Sequence, residues 1–285
     1  MSADFQSFAA ERGLIIDHVE HGKWVRVPTT DHPHSRNGAY WHGGEFAHCQ
    51  NWANMDQCET WFDGKERTPF EQSDMQKRMD ESRKTYAQER ATMQRKAAEK
   101  ARWILSQCEL DLHAYMDKKN FTNMRVNVWR KPDSDPVIVV PMFYGADVCG
   151  CQIIGIDGDK KFLKGQRTND AYHKIGNGKR EFLVEGYASA LSLHAILGAL
   201  KVQATIYVTF SCGNASRLAK AHPSAFWIAD NDVSQTGQTA AAASSLRWWM
   251  PEQVGYDIND LHKEVGLFAS SQILRKALAL RRAVV

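Results

Sequence analysis

The stretch FWIADNDVSQTGQTAAAA, residues 226–243, places two carboxylates, Asp230 and Asp232, where an apolar run stops and a glycine and an alanine-rich segment follow. On a strand, residues i and i+2 point to one face. The spacing therefore gathers two like charges, an arrangement that suits a divalent cation held by hard oxygen ligands. The competing reading is that the acids cap the next helix, because Asp is a favoured N-cap. A third acid, Glu185, closes the run EFLVEG (181–186), and SCGN (211–214) closes ATIYVTFS (204–211). If those strands are neighbours, three carboxylates meet at one edge. A magnesium ion there would relieve their repulsion and could orient phosphate oxygens for in-line transfer. Gly186 and Gly213 are expected to let the backbone turn sharply after two of the strands.

The elements that must position these residues are legible in the hydrophobic pattern. EFLVEG, ATIYVTFS and AFWIADND read as strands, separated by the helical segments YASALSLHAILG and GNASRLAKAH and followed by GQTAAAASSLRWWM as a third helix. Strands alternating with helices of about ten residues predict a parallel sheet with crossovers, and ligands on such sheets bind at the carboxyl ends of the strands. Upstream, VIVVPMFYG and VCGCQIIGIDG predict a hairpin about Gly145-Ala146-Asp147, followed by the basic stretch DKKFLKGQR.

Residues 73–106 contain no Gly or Pro and carry nine Lys or Arg against five Asp or Glu between Ser73 and Leu105. Met75, Met79, Tyr86, Met93, Ala97 and Ile104 give this long charged helix one narrow apolar stripe. Residues 1–68 are rich in aromatics, His, Gly and Asn. GKWVRVP, NGAYWH and EFAHCQNW read as short strands of a small β-rich or α+β module, with a turn at Gly43-Gly44. Its aromatics (Trp24, Tyr40, Trp41, Phe46, Trp52, Trp61) either form a small core or stack on single-stranded bases. The expected domains are 1–70, the helix 71–108, an α+β subdomain 109–180 and an α/β domain 181–285.

Bulk composition bounds the function classes. The 285 residues are 43% hydrophobic, enough to bury a good core. No segment reads as a signal peptide or a membrane span, so a cytoplasmic protein without a membrane partner is expected. The six cysteines are scattered. Cys149 and Cys151 lack zinc-knuckle spacing, and Cys49 and Cys58 with His32, His34, His42 and His48 fit no standard finger. GNGKR (176–180) is not a P-loop, which excludes a fused motor of that kind. A net charge of +3 permits a polyanionic partner without requiring one.

The ordered set LVEGYASALSLH (183–194), VTFSCGNASRLA (208–219) and WIADNDVSQTGQTAA (227–241) resembles the Toprim domain of bacterial and phage-type DNA primases, topoisomerases and some nucleases. The resemblance extends upstream through residues 140–176 and downstream to GYDINDLHKEVG (255–266), in the manner of phage and plasmid primases. It implies an α/β fold: a Toprim-type parallel-sheet domain with a preceding α+β primase subdomain, beside the N-terminal module and helix. It also implies that Glu185 ligates metal or assists proton transfer, and that Asp230 and Asp232 hold magnesium (or manganese) to align a ribonucleoside triphosphate. Lys160, Lys161, Lys164 and Arg167 would line the path of phosphates. Lys119 is a further nucleic-acid candidate, although it and Lys118 read equally as solvated lysines. Asp257 and Asp260 are weaker candidates, since both could cap a helix.

The function so implied is a DNA primase of phage or plasmid replication, making short RNA primers on a single-stranded DNA template, with a replicative helicase in trans. Two departures stand out: residues 1–70 contain only Cys49 and Cys58 and no pair of C-x-x-C motifs of the kind a zinc ribbon needs, and Ser211 stands where relatives often carry an acid. The alternatives are a Toprim nuclease that cleaves DNA, or a non-catalytic nucleic-acid-binding accessory or inhibitor.

Overall fold

The computed structural model describes residues 4–52 and 58–279. The chain divides into two compact units, residues 1–83 and 84–285. The first unit opens with helix α1 (Phe5–Glu11), capped by the Asp4 carboxylate, which accepts from the Ser7 amide at 2.8 Å. An antiparallel four-stranded sheet follows in the order β1 (Trp24–Val27), β2 (Gly38–His42), β3 (Phe46–Asn51), β4 (Glu59–Phe62).

Strand alternation sorts the aromatic-rich sequence onto two faces. Val25, Val27, Tyr40, Ala47, Cys49 and Trp61 pack with Phe5 and Ala9 of α1. On the opposite face His48 stacks with Trp24 at 6.3 Å between ring centroids and touches Trp41 and Phe46. The His48 ring is buried. Its Nδ1 meets Thr60 Oγ1 at 2.9 Å, and its Nε2 has no partner among the described residues. Burial, with a smaller contribution from Arg83, pushes its pKa down to about 4.

Helix α2 (Pro69–Ser106) crosses the boundary between the units. It begins ahead of Ser73, because Thr68-Pro69-Phe70-Glu71 is a capping box with proline in the first turn. The Glu71 carboxylate accepts from the Thr68 amide at 2.8 Å. Of the apolar stripe, Met79, Ala97 and Ile104 are buried, whereas Met93 is 48% exposed.

In the second unit, an antiparallel sheet runs β5 (Glu109–Asp111), β6 (Val126–Trp129), β7 (Val137–Tyr144), β8 (Asp147–Ile154), β9 (Lys160–Phe162), with the short helix α3 (Ala114–Lys118) after β5. The β7–β8 hairpin turns at Gly145, whose φ of 61° is the left-handed conformation a tight turn requires. One face, with Val139 and Cys151, packs on Ala101 and Ile104 of α2. The other, with Ile138, Val140, Met142 and Ile154, joins the main core of the unit.

The remaining elements are β10 (His173–Ile175), β11 (Arg180–Val184), α4 (Tyr187–Ala199), β12 (Ala204–Val208), α5 (Cys212–Ala221), β13 (Phe226–Ile228), α6 (Thr236–Ala243), β14 (Arg247–Trp249) and α7 (Ile258–Ala279). The sheet order is β10-β12-β11-β13-β14. The last four are mutually parallel and β10 is an antiparallel edge. Alternation again divides the faces: Phe182, Val184, Ile206, Val208, Phe226 and Ile228 pack with α4 and α7, and Leu183, Tyr207 and Trp227 pack with α5 and α6. The expected succession of strands and helices is thus present, as a mixed, mostly parallel sheet.

Three expectations are corrected. Arg247–Trp249 form a strand, not the end of a helix, because α6 stops at Ala243 and the aromatics pair with β13. Gly213 lies inside α5, and Gly186, the N-cap of α4, has φ −93°, so neither takes a conformation reserved to glycine; the unusual conformation falls on Phe210, at φ 65°. Finally, β13 ends at Ile228, two residues before Asp230, so the strand-face argument does not govern the two aspartates.

Candidate active site

The carboxyl edge of the parallel strands gathers the acids through the three segments that leave it. Glu185 directly follows β11. Its carbonyl accepts from the Phe210 amide at 3.0 Å, as Val184 accepts from Thr209 at 2.8 Å, so the two strand ends are laced together one residue beyond the sheet. Behind this edge lies Asn214, buried on α5. Its Nδ2 donates to the carbonyls of Ala171 (2.7 Å) and Thr209 (2.8 Å), and its Oδ1 accepts from the Asp170 amide at 2.7 Å. Ser211, at the position where an acid was expected from the resemblance, caps α5 by accepting from the Asn214 amide at 3.2 Å.

The Asp230-Asn231-Asp232 segment is held by its middle residue. Asn231 is buried; its Nδ2 donates to the carbonyls of Pro251 (2.9 Å) and Glu252 (3.1 Å), and its backbone bridges Tyr256. This clamp draws in the loop that carries Asp257. Gly237 completes the fit: a methyl group there would lie 2.9 Å from the Asp230 carbonyl, so the start of α6 comes this close only as glycine.

The two aspartates have different environments. Asp232 Oδ1 accepts from Ser234 Oγ at 2.6 Å and from the amide of Thr236, the first residue of α6, at 3.3 Å. The capping reading therefore holds for Asp232 only as a bond to the first amide of α6, whose N-cap position is Gln235. It does not describe Asp230, whose Oδ1 is buried without a hydrogen-bond partner among the described residues. Burial pushes the Asp230 pKa up to about 7, helped by Asp257, Glu185 and Asp232 and opposed by Lys160. Glu185 is also raised, first by burial and then by Asp232, with Lys160 opposing. The same negative field, after burial, pushes the Cys212 thiol up to about 12 through Glu185, Asp232 and Asp230.

Asp257 is the contributor that sequence reasoning underweighted. Its Oδ1 accepts from the amides of Asn259 and Asp260, capping α7, while its Oδ2 accepts from Ser189 Oγ at 3.0 Å on α4. After burial it is the leading influence on Asp230. The signal was present in GYDINDLH, but nothing local distinguishes an acid that only caps from one that also faces another acid. Asp260 accepts from the Asp257 amide at 3.3 Å and stays within that cap.

Strand alternation divides the basic segment. Lys160 and Phe162 share one face of β9, opposite Ile154 and Gln152 of β8, and Lys160 is the cation felt by both Glu185 and Asp230. Lys161 points to the other face and pairs with Asp159 at 3.0 Å. Lys164 is exposed in the following turn. Arg167 lies over the Tyr144 ring at 3.3 Å and donates to the Asn169 carbonyl at 3.0 Å. Lys119 ends α3, and its carbonyl accepts from Asn259 Nδ2 at 3.0 Å. The structure thus assembles Glu185, Asp230, Asp232, Asp257 and Lys160, and leaves the other basic candidates on separate surfaces or in local contacts.

A divalent cation fits this chemistry. The donors are hard carboxylate oxygens, one of them buried and unpartnered among the described residues, and two of the acids are raised by burial first and by their acidic neighbours second. Among the described residues no group of three or more His, Cys, Asp or Glu is drawn close enough to chelate an ion by itself.

No protein-family model matches the sequence. Among solved structures, the crystal structure of a DNA primase domain from Pseudomonas aeruginosa is similar at a TM-score of 0.35 and 15% identity, over 54% of this chain and 56% of that one. The chain therefore spans little more than half of the protein it is compared with. Among the described residues no helix is long and apolar enough to cross a membrane.

Proposed function

We propose that the chain is a magnesium-dependent DNA primase that joins ribonucleotides on a single-stranded DNA template. The observation that carries this reading is the buried, unpartnered Oδ1 of Asp230, set among Glu185, Asp232 and Asp257 at the carboxyl edge of a parallel sheet. Leaving such an oxygen unsatisfied costs on the order of 1–3 kcal/mol, a cost that a bound ligand would remove. The choice of nucleotidyl transfer rests on the resemblance of the Glu-Gly and Asp-x-Asp motifs, together with the upstream segment 140–176, to those of phage and plasmid primases.

Asp230, with Asp232 and Glu185, would supply carboxylates to the ion, and phosphate oxygens of the substrate would complete the set, since the three are not drawn close enough to chelate it by themselves. When bound, magnesium supplies charge neutralisation for the triphosphate and alignment of the attacking hydroxyl with the leaving pyrophosphate. The chain contributes the rest. Glu185, whose pKa is raised by burial, would accept the proton of the attacking hydroxyl. Lys160 places a positive charge beside the acids, where phosphate oxygens would lie. Asn231 and Gly237 fix the backbone on which Asp230 is carried.

The test is primer synthesis by the full chain on single-stranded DNA of mixed sequence with magnesium and labelled ribonucleotides, beside Asp230→Ala. Short labelled products are expected from the native protein and none from the variant. Equal synthesis by the two would remove Asp230 from the mechanism. Nicking of the DNA without added nucleotides would replace primase by nuclease.

A further inference from the structure

Phe162 is a large apolar side chain left 42% exposed on the edge strand β9, beside the charged site. Alternation puts it on the same face as Lys160, about 7 Å further along the strand. Its ring is braced edge-to-face by Phe210 at 6.2 Å between centroids. Phe210 in turn holds φ at 65°, a conformation a bulky residue rarely adopts, and its amide donates to the Glu185 carbonyl. That strained residue joins the aromatic pair directly to the acidic edge. Lys160, Glu185, Phe210 and Phe162 thus form one continuous rim, cationic at one end and aromatic at the other.

We propose that Phe162 is a positioning residue on which the base of the incoming nucleotide stacks, while Lys160 on the same strand face meets its phosphates. This inference rests on the nucleotidyl-transfer reading and adds a base-binding position to it. The physical fit is that of a nucleotide, whose flat apolar base and anionic phosphates are separated by a sugar. An aromatic ring and a lysine two residues apart on one strand offer the matching pair of surfaces. Stacking of this kind tolerates any base, because every base has a π-face, and it contributes about 1–3 kcal/mol per base.

The experiment measures equilibrium binding to the full chain in magnesium, without DNA, using two probes: ATP, which has a base, and inorganic tripolyphosphate, which has none. Native protein is expected to bind ATP more tightly than tripolyphosphate. Phe162→Ala should weaken ATP by about 5- to 150-fold and leave tripolyphosphate unchanged, which also shows that the variant is folded. Phe162→Trp should restore ATP binding. Unchanged ATP affinity in Phe162→Ala, or an equal loss for both probes, would overturn the role of Phe162 while leaving the transfer reading intact. Native protein that binds neither probe would overturn both.

Discussion

Replacing Asp230 by Asn separates the functional from the structural demand on this site. The folded pKa of Asp230 is pushed up to about 7 from an ordinary 3.8 by burial and by Asp257, Glu185 and Asp232. Because the folded pKa exceeds the unfolded one, the native state binds more protons between those values, and stability falls as pH rises from about 4 to about 7. The shift of roughly 3 units, at about 1.4 kcal/mol per unit, means that the ionised side chain costs the metal-free protein up to about 4 kcal/mol above pH 7. Asparagine keeps the shape and removes the charge. In EDTA at pH 8, Asp230→Asn should therefore be more stable than the native protein by about 2–4 kcal/mol. As pH falls below about 4, where the carboxyl is protonated in the fold and increasingly in the unfolded chain as well, the difference should shrink towards zero.

Hydrogen exchange of β12 and β13 as a function of urea reads this sheet separately from the first unit. Added magnesium should stabilise the native protein by mass action and leave the variant unmoved. A variant that is less stable at pH 8, or a difference independent of pH, would refute the account of Asp230 as a carboxylate held in place for a ligand.

Asn214→Ala should destabilise the second unit by about 3 kcal/mol, since three hydrogen bonds to buried backbone are lost; Asn214→Asp should do no better at neutral pH, because a carboxylate cannot donate to the carbonyls of Ala171 and Thr209. Urea titration with hydrogen exchange of α5 checks both, and a loss under 1 kcal/mol would show that the strand ends are held by other contacts. In the first unit, His48 has a folded pKa near 4, below its unfolded value of 6.5, so its contribution is intact above about pH 6.5 and declines as pH falls towards 4. The depression of about 2.5 units amounts to at most about 3 kcal/mol. His48→Phe should flatten that part of the pH profile, and an unchanged profile by thermal unfolding between pH 7 and 4 would assign the acid sensitivity elsewhere.

The sequence by itself determined the elements whose pattern is local. Alternation and helix propensity located the β7–β8 hairpin, α4, α5 and the sheet strands they connect, because side-chain period follows directly from backbone geometry. The same pattern placed Glu185 directly after β11, whereas the two aspartates lie beyond the end of β13, outside the reach of strand alternation. What the sequence left open was decided by contacts between distant segments. Arg247–Trp249 became a strand only because β13 offers a parallel edge. Asp230 and Asp232, identical in type and two residues apart, parted when Asn231 was clamped by the 251–256 loop: Asp232 bonds Ser234 and the first amide of α6, and Asp230 keeps a buried oxygen without a partner among the described residues. Asp257 reached Asp230 through that clamp, and β9 turned Lys160 towards the site and Lys161 away. Local spacing sets which face a residue takes within an element; the charge that it meets across the fold is set by topology, and that is where the pKa of Asp230 comes from.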